Sequence, residues 1–249
     1  VEKGRKEARI GLDSEDEIIN MINTNHEVQR LAEKCLATLG LKPQERIVAY
    51  KDGMKTDIFI RIDGEIGVSL KSSTKTSFHQ LDRRRLDDWR AFTNMPDDVF
   101  ETMKDAILRV SKNPSNKFIL EGDRDKIMGF FAQHLRVILD EVFRRGEEKL
   151  KVLMINDKRV RKIYLFRMED TLNFLSRNAY GNISFTDKGI IRLGGFVTVQ
   201  RKGGDGKHIT IPKTDWKHPG NQLQLKFSPL KFAEHCEKTN VIKFCTIEY

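Results

Sequence analysis

Asp57, Ser69 and Lys71 are the residues of this 249-residue chain whose types and spacing most directly suggest chemistry. They lie in "KTDIFIRIDGEIGVSLKSS", residues 55–73, where apolar and polar positions alternate on either side of "DGE". Alternation with a period of two marks a half-buried strand, so the stretch reads as a β-hairpin. Opposed residues of antiparallel strands point to the same face. A three-residue loop at 63–65, a common hairpin type with a central glycine here, sets Asp57 opposite Lys71 and Phe59 opposite Ser69. A two-residue loop would set Asp57 opposite Leu70 and part the polar groups. Asp57, Ser69 and Lys71 are therefore expected on one face, with Ile58, Ile60, Val68 and Leu70 on the other. A carboxylate beside a lysine at a strand end suits metal-assisted phosphodiester hydrolysis. The carboxylate holds Mg2+, which polarises the phosphate and acidifies a bound water, while the lysine orients or deprotonates that water. The same spacing also describes an exposed cross-strand ion pair, worth about 0.2–1 kcal/mol.

A second set of polar residues alternates near the end of the chain. In "GGFVTVQRKGGD" (194–205), Val197 and Val199 face one way and Thr198, Gln200 and Lys202 the other. In "GNQLQLKF" (220–227), Leu223, Leu225 and Phe227 oppose Gln222, Gln224 and Lys226. Side by side, the two strands would present Gln200, Lys202, Gln222, Gln224 and Lys226 on one surface, without a carboxylate. Gln can bridge adenine N6 and N7, lysine can donate to guanine O6 and N7, and a two-stranded ribbon fits the major groove. The loop between them adds Arg201, Lys207, His208, Lys213 and Lys217, whose basic members suit phosphates. Asp205 could accept from cytosine N4 or shape the turn. The ordinary alternative is an amphipathic hairpin with a solvated polar face.

The rest of the chain must position these groups. Residues 1–13 are charged, short on apolar anchors, and read as an arm or a frayed start. Ser14 and Glu17 form a capping box, and a second helix is expected over 25–39, ended by Gly40 and Pro43. Short strands follow at 46–50, 57–62 and 66–71. The centre, 78–145, reads as mostly helical, with an apolar stripe from Ile127 to Val142. "KVLMIN" reads as a strand, "MEDTLNFLSR" as a helix, and strands return from about residue 180. The simplest description is one α/β domain over 1–249. Within it, helices and the hairpin occupy 1–95, a mainly helical section 96–178 and a β-rich region 179–249.

Composition narrows the classes. Hydrophobic residues make up 39% and charged residues 33%, which suits a globular chain, and no apolar run reaches the ~20 residues of a membrane span. A net charge of +9 favours polyanionic partners. Three widely spaced cysteines argue against a disulfide framework or a zinc site and fit a reducing cytoplasm. There is no G-x-S-x-G, H-E-x-x-H or P-loop.

"TD…SLK" resembles the PD-(D/E)xK motif of type II restriction endonucleases. Thr56 replaces the motif's proline, and Ser69 stands where a second acid is expected, a position at which other members carry Asn or Gln. The resemblance implies Asp57 and Ser69 as Mg2+ ligands and Lys71 as the catalytic lysine. Glu27 is the candidate for a further carboxylate from an N-terminal helix, with Glu65 as the other choice. "NISFTDKGIIRLGGFVTVQRKGGDGK…NQLQLKFSPLKF" is similar to the recognition segment of the MspI-like branch, whose targets are four base pairs. That likeness adds Asn221 to the DNA-binding set. "FHQLDRRRLDDW" resembles a segment those enzymes carry after the lysine, which would bring Phe78 and Gln80 to the DNA. The implied fold is a PD-(D/E)xK core, a mixed central sheet flanked by helices, with a C-terminal β-rich recognition element. The implied activity is Mg2+-dependent cleavage of double-stranded DNA leaving 5′-phosphate ends, by a monomer or homodimer, with a companion methyltransferase in the host. Three other readings stay open: a DNA-binding module with an inactive core, a structure- or lesion-directed repair nuclease, and an RNA-processing nuclease. The last lacks an aromatic stacking platform.

Overall fold

The computed structural model describes residues 2–43, 46–51, 56–62, 64–204 and 210–249. Lys55 and Asp63 of the hairpin, and Asp205, Lys207 and His208 of the long loop, lie outside the described residues. In chain order the elements begin with α1 (Glu2–Thr24), α2 (His26–Thr38), β1 (Val48–Tyr50), β2 (Ile58–Ile62), β3 (Gly64–Ser73) and β4 (His79–Arg84). Then come α3 (Leu86–Thr93), α4 (Asp97–Lys112), α5 (Arg124–Arg144), β5 (Leu150–Asp157), β6 (Lys162–Arg167) and α6 (Met168–Ala179). The chain ends with β7 (Ile183–Phe185), β8 (Ile191–Leu193), β9 (Val197–Arg201), β10 (Leu223–Phe227), α7 (Pro229–Thr239) and β11 (Phe244–Glu248). The protein is α/β. Two compact units form, one from Val1–Ser77, Gly146–Phe174 and Pro229–Tyr249, the other from Phe78–Arg145 and Leu175–Ser228.

The first unit holds a mixed sheet in the order β1-β2-β3-β5-β6-β11, in which only the β3–β5 pair is parallel. One face turns Ile58, Ile60, Val68, Leu70, Val152 and Leu165 into a core shared with Ile18 and Ile22 of α1 and Leu36 of α2. Each such fully buried aliphatic side chain contributes about 1.5–3 kcal/mol. The opposite face meets α7, where Phe166 and Phe232 lie 5.0 Å apart. Asn25 caps α2, its Oδ1 accepting from Glu27 N–H and Val28 N–H at 3.0 and 3.2 Å. Gly40, at φ +79°, ends that stretch in the left-handed region.

The second unit holds an antiparallel sheet in the order β4-β10-β9-β8-β7. Its apolar side packs on α5, with Phe143 edge-on to Phe227 at 5.3 Å. The helix α3 packs on α5 through Trp89 and Phe131, 6.1 Å apart. No helix among the described residues is long and apolar enough to cross a membrane.

Four sequence expectations need correction. The first residues are not an arm: α1 starts at Glu2, and Ser14 is a buried residue inside it rather than its cap. The Glu, Lys, Arg and Ala that looked unanchored are good helix formers. Residues 79–84, read within the helical centre, form β4. The elements β6, α7 and β11 were not anticipated. Finally, Cys35 and Cys245 are disulfide-bonded, with Cα atoms 5.3 Å apart across 210 residues of sequence, and only Cys236 is free. Their proximity is set by α2 packing on β11, which residue spacing does not reveal.

Candidate functional site

The hairpin forms with a register different from the expected one. Ile58 opposes Val68, Ile60 opposes Ile66 and Ile62 opposes Gly64, a shift of two residues. A shift of two keeps every side chain on its face, whereas a shift of one would have inverted them all. The division into an apolar and a polar face therefore survives. Gly67 is required by space: a Cβ there would lie 3.0 Å from Thr56 Cγ2 and 3.2 Å from the Leu150 Cα, because β3 and β5 come close at that point.

The hairpin brings Asp57, Ser69 and Lys71 together. Lys71 Nζ donates to Ser69 Oγ at 2.8 Å, to the Leu70 carbonyl at 2.9 Å and to Asp57 Oδ2 at 3.1 Å, so all three of its protons are engaged. Asp57 Oδ2 also accepts from Leu70 N–H at 2.7 Å and from the Ser69 hydroxyl at 3.3 Å. Both charged side chains are partly covered, 25% exposed for Asp57 and 19% for Lys71. Every bond that Asp57 makes among the described residues ends on Oδ2. Oδ1 is left for a further partner, and with the Ser69 hydroxyl it offers the hard oxygen donors that Mg2+ takes. That donor set fits the ion with most of its shell filled by water and phosphate oxygen. No cluster of three or more His, Cys, Asp or Glu able to hold a metal occurs among the described residues.

Glu27 is exposed in the first turn of α2, and no hydrogen bond or ion pair joins it to Asp57 among the described residues. Glu65, at the far end of the hairpin, bonds Lys149 at 2.8 Å and accepts from Tyr50. Glu15 on α1 is a further acid, not singled out from the sequence, whose charge is coupled to the hairpin. Burial raises its pKa and the Asp57 charge adds to this, opposed by a hydrogen bond from Lys51 at 3.1 Å and by the charge of Lys71. Glu15 thus shares the electrostatic field of the hairpin site. Reading residues 1–13 as helix would have put it on an N-terminal helix and in contention.

In the second unit, β9 and β10 pair with Gln200 opposite Gln224 and Thr198 opposite Lys226. Lys202 N–H donates to the Gln222 carbonyl at 2.8 Å, which extends the pairing into the loop. The two glutamines and Lys226 therefore share a face. On the other edge of β10, Lys226 opposes Gln80 and Gln224 opposes Arg83, with a bulge in β4 that lets residues three apart face the same way. Gln224 Nε2 donates to Gln80 Oε1 at 2.6 Å. Gln80 and Arg83 are exposed, while Gln224 is 8% exposed. Phe78, at the end of β4, is a bare aromatic at 42% exposure. Burial first, and then the Arg83 charge, hold the Lys202 ammonium below its usual range.

Arg201 and Asn221 are placed differently. Arg201 Nε donates to Asn221 Oδ1 at 2.7 Å. Asn221 is buried and donates to the carbonyls of Lys213 and Asp215 at 2.9 and 2.7 Å, so it organises the long loop.

On the inner side of β4, Asp82 is 1% exposed and bonded by Arg84 Nε at 2.6 Å and by Arg145. Arg84 reaches on to Glu141 at 2.6 Å. This paired network ties β4 to the end of α5.

The R.HinP1I restriction endonuclease family matches residues 44–229 of the chain. No curated protein matches it.

Proposed function

The chain belongs to the R.HinP1I restriction endonuclease family, enzymes that cut DNA at specific sequences, and we propose that it is a type II enzyme with a PD-(D/E)xK core, cutting short sites under Mg2+. The observation that carries this reading is the Lys71 ammonium bonded to both Asp57 and Ser69. Asp57 and Ser69 would hold the metal through their side-chain oxygens, with Glu15 or Glu27 as the second acid. Bound Mg2+ supplies polarisation of the scissile phosphate and a more acidic water. Lys71 positions that water in line with the departing 3′ oxygen and offsets charge growing on the phosphate. Hydrolysis of the P–O3′ bond leaves a 5′-phosphate and a 3′-hydroxyl.

Recognition falls to the polar side of the second sheet. Gln80, Gln200, Gln222 and Gln224 suit adenine, Lys202 and Lys226 suit guanine, Arg201 suits phosphate, Asp205 suits cytosine, and Asn221 holds the loop. Phe78, exposed on the same unit, would wedge at a base step. The likeness to the MspI-like branch supports a target of four base pairs. Partners are double-stranded DNA and, functionally, a methyltransferase guarding the same site. The enzyme acts in the cytoplasm as a monomer or homodimer.

One observation favours a second reading, a DNA-binding module with an inactive core: Ser69 occupies the place of an acid. Digestion of a fully sequenced, unmethylated phage DNA with Mg2+, and separately with EDTA, decides between them. Discrete Mg2+-dependent fragments establish the nuclease and, by end sequencing, its target. Tight binding without cutting establishes the module, and a smear points to a non-specific or structure-directed nuclease.

A further inference from the structure

The polar side of the second sheet is wider than its glutamine centre. Registers place Ser184 opposite Arg192, Arg192 opposite Thr198, Thr198 opposite Lys226 and Lys226 opposite Gln80, one row across five strands. The neighbouring row runs Gln200, Gln224, Arg83. Neither row contains an acid. Arg192 on β8 and Arg83 on β4 are exposed, and neither has an ion-pair partner among the described residues. By contrast, Arg84 in this unit is paired with Asp82 and Glu141, and Arg90 with Asp97. Two unpaired arginines therefore flank a recessed centre in which Thr198 and Gln224 are each 8% exposed.

The spacing of the flanks has a meaning. Strands β4 and β8 are three places apart in the sheet, which at the usual strand spacing separates them by roughly 14 Å. The major groove of B-DNA is about 12 Å wide. Flexible arginine side chains at either flank can thus reach the two phosphate backbones while the centre meets base edges.

We infer that Arg83 and Arg192 are a phosphate clamp that seats the duplex over the glutamine centre, an inference that rests on the proposed DNA-cutting function. They make charge-assisted contacts to backbone oxygens and carry no sequence information themselves. The central glutamines read the bases, so orientation and readout are divided between rim and centre of one sheet.

The test is the salt dependence of binding, by fluorescence anisotropy, in EDTA to prevent cutting. The probes are a duplex containing the site found by digestion and a scrambled duplex. Each phosphate contact contributes a slope of about −0.9 in log K against log salt. The R83A/R192A double variant is expected to flatten the slope by about 2 on both probes and to cut the same sequence. The R83K/R192K variant should restore the slope, which a loss of folding in the alanine variant could not explain. As a charge control, K104A on α4 should leave it unchanged. An unchanged slope in R83A/R192A, from a parent enzyme that still cuts, overturns the clamp alone. A changed target sequence makes the arginines base readers and also overturns it. A parent that does not bind duplex DNA at all overturns the clamp together with the proposed function.

Discussion

Strands β2 and β3 bury Ile58, Ile60, Val68 and Leu70 on the side away from Asp57 and Lys71, whereas β4 turns Asp82 and Arg84 inward, to Glu141 and Arg145. The polar sides differ in a complementary way. At the hairpin, acid and lysine satisfy one another in a closed set of bonds. On the second sheet, cations outnumber acids and the flanking arginines have no ion-pair partner among the described residues. A site that must place a water within tenths of an ångström is helped by a fixed, internally compensated cluster on a stiff apolar base. A surface that must attract a polyanion is helped by charge left uncompensated until the polyanion arrives. The buried charges behind β4 are neutralised in pairs and hold the strand to α5, so they add orientation without cancelling the outer charge.

This contrast can be broken most decisively at the hairpin. Replacing Asp57 by Ala should lower single-turnover cleavage by on the order of 10³-fold, with duplex affinity kept or increased because an anion is lost. On the other side of the comparison, Asp82→Asn leaves two arginines facing a neutral group. It should destabilise the protein by about 3 kcal/mol in urea denaturation, and a leucine in place of Val68 should cost less, about 1–3 kcal/mol from overpacking. The identity of the second acid sharpens the hairpin half. Glu15→Gln should lower cleavage roughly tenfold and raise the Mg2+ needed for half-maximal rate, while Glu27→Gln leaves both near the parent; the opposite pattern would restore Glu27.

The smallest effect is a pH dependence confined to the first unit. Hydrogen bonding from Arg159, at 2.6 Å, holds the Asp157 carboxyl below its usual 3.8. A carboxylate whose folded pKa is lowered stabilises above its unfolded value and loses that contribution as pH falls through the folded one. Thermal melts should therefore show an acid-side loss below about pH 4 that Asp157→Asn reduces, at a cost near 1–2 kcal/mol at neutral pH.

What could be read beforehand follows the same division. Alternation gave the faces of β2, β3, β9 and β10, because each has an apolar side, and parity protected the Asp57–Ser69–Lys71 grouping against a register error of two. The strand β4 was missed because "HQLDRR" has no apolar alternation: its inward residues are charged and matched by Glu141 and Arg145, distant in sequence. Without β4 the two cross-sheet rows that end at Gln80 and at Arg83 could not be drawn, so nothing singled out Arg192 on "IIRL", although that stretch reads as a strand. Glu15 was lost with the helix that carries it. Cys35 and Cys245 meet only because α2 packs on β11.

Under the proposed function, hydrolysis belongs to the hairpin and reading to the second sheet. The most direct measurement pairs duplex affinity with single-turnover cleavage for Lys71→Ala and Gln200→Ala on one cognate duplex and on its single-base variants. Lys71→Ala should bind within about threefold of the parent, cut at least 10³-fold more slowly and discriminate unchanged. Gln200→Ala should lose about 1–3 kcal/mol of discrimination at one base pair while still cutting what it binds. If Lys71→Ala cuts normally, or if each variant loses hydrolysis and discrimination together, the division between the two regions is wrong.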